Sequence, residues 1–213
     1  MNWQAVFFDF DGVVLDSVRV KTEAFAKMFR QYGPDIESKV VAYHLANGGV
    51  SRFNKFRYFY ENLLKQEITE EKLRQLGEEF SGHVLNRVLK APFMEGALDT
   101  LIQLKARNIV AYIVSGTPHE EINYIVEQKG ISHFFREVYG TPKEKFEIIR
   151  DILFYNGYQN TKCLFIGDAM SDYKAAQENG VYFFGVVKKG DVSPFPRNTL
   201  FSSTVTADII QSV

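Results

Sequence analysis

Two aspartates separated by one residue follow a short apolar run near the start of the chain. The run Val6–Phe8 leads into Asp9, Phe10 and Asp11, and Gly12 comes next. Carboxylates this close repel each other unless a cation lies between them, and a hard divalent ion such as Mg²⁺ prefers oxygen ligands. One carboxylate could then attack as a nucleophile while the other transfers a proton. The simpler interpretation is an acidic turn at the end of a strand.

A serine and a glycine follow a second apolar run, at residues 109–114. The hydroxyl of Ser115, together with open backbone amides beside Gly116, could bind a phosphoryl oxygen. An ordinary turn serine is the alternative.

Two lysines lie near the predicted start of a later helix, after Thr141 and Pro142. Because a positive charge opposes the helix dipole at this end, Lys143 or Lys145 is predicted to meet an anion. Such a lysine could neutralise a phosphate and the charge of a nucleophile. The alternative is a pair of solvated lysines.

A second pair of aspartates, Asp168 and Asp172, follows an apolar run that ends at Gly167. Asp168 could complete an oxygen-rich metal shell, and Asp172 could hold a metal-bound water or orient Lys145. Helix capping by either aspartate is the alternative. Since all four polar groups follow predicted strands, they could meet at one edge of a parallel sheet.

The elements that would position these groups alternate between strands and helices. Predicted strands lie near residues 6–10, 109–114, 138, 163–166 and 181–187. Helices between them indicate an α/β fold, a Rossmann-like parallel sheet covered on both faces. Between residues 18 and 90 only helical spacing is present. We therefore expect a core of residues 1–16 and 92–213, with an inserted helical cap at 17–91.

Composition narrows the possible partners and location. The chain has 213 residues and a formal net charge of −1, which argues against nucleic acid or an anionic membrane as a partner. The start lacks a signal-peptide layout, and no apolar run is long enough to span a membrane, so a cytoplasmic protein is expected. The single cysteine, Cys163, is predicted to be buried in a strand. Oligomeric state is not indicated.

Taken together, these motifs resemble those of the haloacid dehalogenase-like superfamily. The first is Asp-x-Asp-Gly-x-x-x-Asp-Ser from Asp9 to Ser17; the others are Ser115, a lysine after Pro142, and Gly-Asp-x-x-x-Asp from Gly167. The resemblance implies a Mg²⁺-dependent phosphatase of a small phosphomonoester, a sugar phosphate or a phosphoglycolate-like acid. A phosphomutase acting on a sugar phosphate is one alternative. A non-catalytic binding or regulatory module on the same fold is another.

The resemblance also implies roles for the acidic residues. Asp9 would attack phosphorus and form an aspartyl-phosphate, and Asp11 would protonate the leaving alcohol and then deprotonate the hydrolytic water. Asp9, the backbone carbonyl of Asp11 and Asp168 would ligate Mg²⁺, with Asp172 beside them. An acid at position 11 argues against dehalogenase chemistry, which in the family lacks it.

For the phosphoryl group, the resemblance implies binding by Ser115 and Lys145, with Gly116 beside them. Lys145 is preferred to Lys143 because it resembles the family variant in which the lysine falls three residues after proline.

The turn from Gly49 to Arg52 is similar to one in the sugar phosphomutase branch. There Arg52 and Lys55 could reach a polar or anionic leaving group, or Arg52 could instead face solvent. His44 and Asn47 are interpreted as ordinary residues of the insert.

Overall fold

The computed structural model describes residues 3–205, and its centre is a six-stranded sheet. The strands are β1 (Ala5–Phe8), β2 (Val110–Pro118), β3 (Glu137–Thr141), β4 (Cys163–Gly167), β5 (Tyr182–Val186) and β6 (Phe201–Ser202). Their order is β3-β2-β1-β4-β5-β6, and every neighbouring pair is parallel. The predicted parallel α/β fold is confirmed.

Strand β1 lies in the middle of the sheet because its side chains are apolar on both faces. All four of its residues are buried, as expected for a strand covered by helices on both sides. Ala5 pairs with Val110 on β2 and with Cys163 on β4. The carboxyl ends of these three strands therefore meet at one edge, and Cys163 is buried as predicted.

Eight helices surround and extend this sheet within the described part of the chain. They are α1 (Val18–Phe29), α2 (Pro34–Ala46), α3 (Arg52–Tyr58), α4 (Glu70–Lys90), α5 (Ala97–Ala106), α6 (His119–Gln128), α7 (Lys145–Asn156) and α8 (Met170–Glu178). Among residues 3–205, no helix is long and apolar enough to cross a membrane.

The segment at residues 18–90, the helical insert, contains α1 to α4 and no strand. Helical spacing predicts a single helix from Phe53 to Lys65. Instead, α3 passes into a π-helical turn, Phe59–Leu64, which ends at Lys65 in the left-handed conformation. A continuous apolar cluster joins the insert to one face of the sheet. The division into a core and a cap stays a prediction.

Two capping patterns in the sequence, at residues 117–120 and 141–144, predict helix N-caps at Thr117 and Thr141, but neither residue caps its helix. Strand β2 continues to Pro118, so α6 begins at His119 and the predicted capping box at Thr117 is not formed. Likewise α7 begins at Lys145, after an N-cap at Glu144, instead of at Thr141. Thr117 and Thr141 belong instead to the last residues of strands β2 and β3. Local capping signals do not indicate this pairing with a neighbouring strand.

Candidate active site

Asp9 comes directly after β1, at the edge where the strands end. Its backbone N–H donates to the carbonyl of Ile166 on β4, at 2.9 Å, which fixes the residue beside the next strand. The side chain is almost fully buried. Its Oδ1 lies 2.8 Å from Nζ of Lys145, the first residue of α7. A buried carboxylate is thus held beside a buried ammonium.

Lys145 is shared between two aspartates. Its Nζ also donates to Oδ1 of Asp172, at 2.6 Å, and Asp172 Oδ2 accepts from the backbone N–H of Ala169 at 3.1 Å. Burial acts to lower the pKa of Lys145, but the charges of Asp172 and Asp9 outweigh it and raise that pKa. The lysine is therefore charged at neutral pH, although it opposes the dipole of α7.

Three carboxylates converge at this point. Oxygens of Asp9, Asp168 and Asp172 all lie within 4.8 Å of one another. Burial, followed by repulsion from Asp9 and Asp172, raises the pKa of Asp168 well above its usual value. Burial and Asp9 likewise raise the pKa of Asp172 to about 7, despite Lys145. Three acids competing for one small volume form a donor set that fits a hard divalent cation.

Gly12 makes room for this cluster. Its φ is +84°, and a Cβ there would lie 2.2 Å from Oδ2 of Asp168. The glycine of the Asp-x-Asp-Gly motif is therefore required both by the backbone conformation and by the approach of Asp168.

The carboxylate of Asp11 has a separate set of partners. Ser17 Oγ donates to its Oδ1 at 2.6 Å, Thr117 Oγ1 donates to its Oδ2 at 3.2 Å, and Lys21 Nζ also donates to Oδ2. Burial acts to raise the pKa of Asp11, but the charge and hydrogen bonds of Lys21, with those of the two hydroxyls, lower it. This carboxylate lies outside the three-carboxylate cluster; the metal-ligand role predicted for Asp11 stays a prediction.

Ser115 and Gly116 lie within β2, beside a turn of the helical insert. Ser115 is buried, and its Oγ accepts from the backbone N–H of Thr117 at 3.1 Å. A Cβ at position 116 would lie 2.3 Å from the carbonyl oxygen of Gly49. On the other side, Ser171 Oγ donates to the carbonyl of Gly48 at 2.8 Å. The Gly48–Gly49 turn thus closes directly onto the sheet edge.

A cavity of about 190 Å³ lies between the sheet edge and the insert. The sheet side contributes Asp9, Asp11, Gly116 and Asp168 to its wall, whereas Ser115, Lys145 and Asp172 are not among the lining residues. The insert contributes both polar and apolar side chains, among them Val18, Lys21, Phe25, His44, Leu45, Arg52, Lys55 and Phe80.

The two candidate lysines, Lys143 and Lys145, lie in different surroundings. Lys143 precedes α7, is about half-exposed and pairs with Asp151, on a surface that does not line the cavity. The substrate-binding role predicted for Lys143 stays a prediction that this placement does not support. Only two residues away, Lys145 begins the helix and reaches Asp9.

Arg52 lines the cavity but already has a carboxylate partner. Its guanidinium pairs with both carboxylate oxygens of Glu121 on α6 and donates to Ser81 Oγ at 2.6 Å. It also lies 4.7 Å from the ring centre of Phe80. Burial acts to raise the pKa of Glu121, but Arg52 outweighs it and lowers that pKa. This ion pair connects the insert to the sheet side.

Sequence reasoning missed several residues of this region. Lys21 and Thr117 contact Asp11, Glu121 pairs with Arg52, and His44 lines the cavity beside Lys55. Lys21 lies one helical turn after the end of the first motif. This spacing is the one feature of the sequence that could have indicated its role. The others depend on contacts between distant segments.

Comparisons with known proteins agree with this geometry. A sequence model for the family described as haloacid dehalogenase-like hydrolase matches residues 6–186. The chain is similar to a phosphoglycolate phosphatase of Vibrio cholerae, 27% identical over 193 residues that cover 85% of this chain and 83% of the relative. It is also similar to one of Aliivibrio fischeri, 26% identical over 192 residues that cover 85% and 82%.

Solved structures share the fold. A β-phosphoglucomutase from Clostridium difficile superposes with a TM-score of 0.77 and 21% identity, over 99% of this chain and 96% of that one. A predicted phosphoglycolate phosphatase from Haemophilus somnus gives a TM-score of 0.74 and 19% identity, over 100% and 98%. At these identities the likeness establishes the fold, and the chemistry has to be argued from the site.

Proposed function

The chain belongs to the haloacid dehalogenase-like hydrolase family, and we propose that it is a Mg²⁺-dependent phosphatase of small phosphomonoesters that uses Asp9 as its nucleophile. One observation carries the proposal: the Asp9 carboxylate lies at the wall of the cavity, paired with Lys145 and clustered with two further aspartates. The names of the curated relatives support a phosphatase.

In the first half-reaction, a carboxylate oxygen of Asp9 forms a bond to phosphorus while the bond from phosphorus to the alcohol oxygen breaks. Asp11 gives its proton to that oxygen, so the alcohol leaves neutral. The product on the enzyme is an aspartyl-phosphate.

In the second half-reaction, a water attacks the phosphorus of the aspartyl-phosphate. Asp11, now ionised, accepts a proton from that water, and the bond between Asp9 and phosphorus breaks. Inorganic phosphate leaves, Asp9 is again a carboxylate, and Asp11 is again protonated for the next turnover. The pairing of Asp11 with Lys21 favours the ionised form that this half-reaction requires.

Positive charge and hydrogen-bond donors would stabilise the transferring phosphoryl group. Lys145 faces the nucleophile directly, and the hydroxyl of Ser115 and the backbone of Gly116 lie on the neighbouring strand. Preformed donors of this kind stabilise charge that develops in the transition state without reorganisation.

Asp9 and Asp168, with Asp172 beside them, are the residues that would hold Mg²⁺. When bound, the ion supplies charge neutralisation between the carboxylates and the phosphoryl oxygens. The raised pKa values of Asp168 and Asp172 support this assignment, because burial and then the neighbouring carboxylates disfavour their ionised forms, which a bound cation would favour.

The helical insert would act as a cap that determines which alcohol is accepted. Its Gly48–Gly49 turn contacts Gly116 on β2 and Ser171 on α8, which covers one side of the cavity. Closure of this kind excludes bulk water and places side chains of the insert against the leaving group.

Release of inorganic phosphate from p-nitrophenyl phosphate, with Mg²⁺ and after its removal by EDTA, tests the proposal. We expect Mg²⁺-dependent turnover that Asp9→Asn reduces at least 10³-fold, while Asp35→Asn, an exposed substitution on α2, retains it. Full turnover by Asp9→Asn would refute the nucleophile assignment.

A panel of metabolite phosphates then separates the phosphatase from a phosphomutase. Hydrolysis of at least one small phosphomonoester in preference to p-nitrophenyl phosphate is the expected result. Interconversion of sugar 1- and 6-phosphates without net phosphate release would contradict hydrolysis as the main reaction.

A further inference from the structure

Two polar side chains of the helical insert line the cavity and lie outside the catalytic proposal. His44, near the end of α2, is 6% exposed, and Lys55, on α3, is 3% exposed. Lys55 Nζ lies 2.9 Å from His44 Nδ1. The pair is packed against the ring of Phe25, whose centre is 4.8 Å from that of His44.

The direction of this hydrogen bond determines which ring nitrogen of His44 carries the proton. In its charged form Lys55 is an ammonium without a lone pair, so it donates and His44 Nδ1 accepts. Burial, followed by the charges of Lys55 and Lys21, lowers the pKa of His44 to about 3, so the ring is neutral and Nε2 carries the proton. That Nε2–H is buried and has no hydrogen-bond partner among the described residues. An unsatisfied buried donor is rare in a folded protein and indicates a missing acceptor.

Within the described chain Lys55 also has no ion-pair partner, unlike the other cavity-lining cations. Lys21 pairs with Asp11, and Arg52 pairs with Glu121. Within the described chain, the only polar partner of Lys55 Nζ is the neutral His44 ring. Burial, followed by the charge of Lys21, lowers the pKa of Lys55 to about 7. An anion here would supply both a counter-charge and acceptors.

We propose that His44 and Lys55 form an oxyanion-binding site of the helical insert, which takes a carboxylate on the alcohol part of the phosphomonoester. A planar carboxylate offers two oxygens to two donors, the Nε2–H of His44 and the free N–H groups of Lys55. A neutral alcohol leaves the charge of Lys55 unmatched. The preferred substrate is then a phosphorylated hydroxy acid, an inference that rests on the proposed phosphatase function.

A pair of substrates that differ at one group tests this site. 2-Phosphoglycolate carries the carboxylate, and 2-hydroxyethyl phosphate carries a hydroxymethyl group in its place. We expect the wild-type enzyme with Mg²⁺ to prefer 2-phosphoglycolate. Lys55→Met, which keeps the apolar stem, should lower that preference at least tenfold through KM, since a charge-assisted hydrogen bond is lost. Lys39→Met, exposed on α2, should leave the preference unchanged.

The two proposals fail differently. If Lys55→Met leaves the preference unchanged while p-nitrophenyl phosphate is hydrolysed, the oxyanion site is refuted and the phosphatase stands. If the wild type hydrolyses none of the three esters, the proposed phosphatase function fails, and the oxyanion site is then decided by binding alone.

Binding is measured without turnover by NMR of the imidazole nitrogens in Asp9→Asn. The chain has four histidines, and His44→Gln assigns the signal of His44. We expect 2-phosphoglycolate to shift the Nε2 resonance of His44, and 2-hydroxyethyl phosphate to leave it nearly in place. Equal shifts with both esters, or none with either, would overturn the site.

Stability separates a binding role from a structural one. Because Lys55 is a buried charge without a counter-ion, Lys55→Met should unfold at the same temperature as the ligand-free wild type or at a higher one. A marked fall in that temperature would show that the lysine is needed for packing and would contradict the proposal.

Discussion

Nζ of Lys145 lies 2.8 Å from Oδ1 of Asp9, although the two residues come from different elements at the edge of the sheet. The lysine is nearly buried and makes a second ion pair, with Asp172. The nucleophile proposed here is therefore held by a cation that belongs to the protein and does not depend on a bound metal ion.

Lys145 and Lys143 offer a matched comparison, because they are the same residue type two positions apart. Lys145→Met leaves Asp9 and Asp172 without their shared cation, so we expect a loss of activity of roughly 10²-fold or more and a destabilisation of about 3 kcal/mol. Lys143→Met breaks an exposed pair with Asp151 and should cost under about 1 kcal/mol. Phosphate release and urea unfolding measure both; equal effects of the two changes would contradict the assignment.

Lys21 should set the pH at which Asp11 acts. Burial acts to raise the pKa of Asp11, but Lys21 lowers it, so removing the ammonium in Lys21→Met raises it. A larger fraction of Asp11 then keeps the proton that the first half-reaction needs, so the alkaline limb of the kcat/KM profile should move to higher pH. Lys27→Met, exposed on the same helix, is the control. An alkaline limb that stays in place would show that Asp11 is not the group that titrates.

Mg²⁺ should stabilise the protein more at pH 8 than at pH 5.5. The raised pKa values of Asp168 and Asp172 mean that, between their ordinary and raised values, the metal-free folded protein binds more protons than the unfolded chain. The stability contributed by these groups therefore falls as pH rises through that window. Mg²⁺ must displace those protons at low pH but not at high pH.

Thermal unfolding with and without Mg²⁺ measures this difference. We expect a rise of several degrees in the unfolding temperature at pH 8 and a smaller one at pH 5.5. Asp168→Asn should abolish the rise, whereas Asp99→Asn, exposed on α5, should retain it. A rise that is independent of pH would argue that the ion binds elsewhere.

Gly116 should be required for closure of the helical insert. A Cβ there would lie 2.3 Å from the carbonyl oxygen of Gly49, so Gly116→Ala must push the turn away from the sheet edge. We expect at least a tenfold loss of kcat/KM and a destabilisation of about 1–3 kcal/mol. Gly82→Ala, exposed in α4 with nothing within 4 Å of the added Cβ, should instead stabilise by roughly 0.5–1 kcal/mol. Normal activity of Gly116→Ala would refute a tightly closed turn.

The sequence alone determined strands β1 to β5 and the positions of the acidic groups at their ends, whereas the short strand β6 and the order of the strands came from the structure. Strand β1 is apolar on both faces, so it had to be buried, and the aspartates that follow it had to lie at the strand edge. The same reasoning placed Asp168 after β4. These predictions succeed because a parallel sheet brings the carboxyl ends of its strands to one edge, whatever the loops between them do.

Only the tertiary structure decided which partners these groups have. Lys145 was separated from Lys143 by where α7 begins, and Arg52 was paired with Glu121 across 69 residues of sequence. The contact between His44 and Lys55 depends on how α2 packs against α3, and their unmatched donor and charge depend on what else is buried there. Hydrophobic spacing specifies which face of a helix is buried. It does not specify which distant polar group that face will meet.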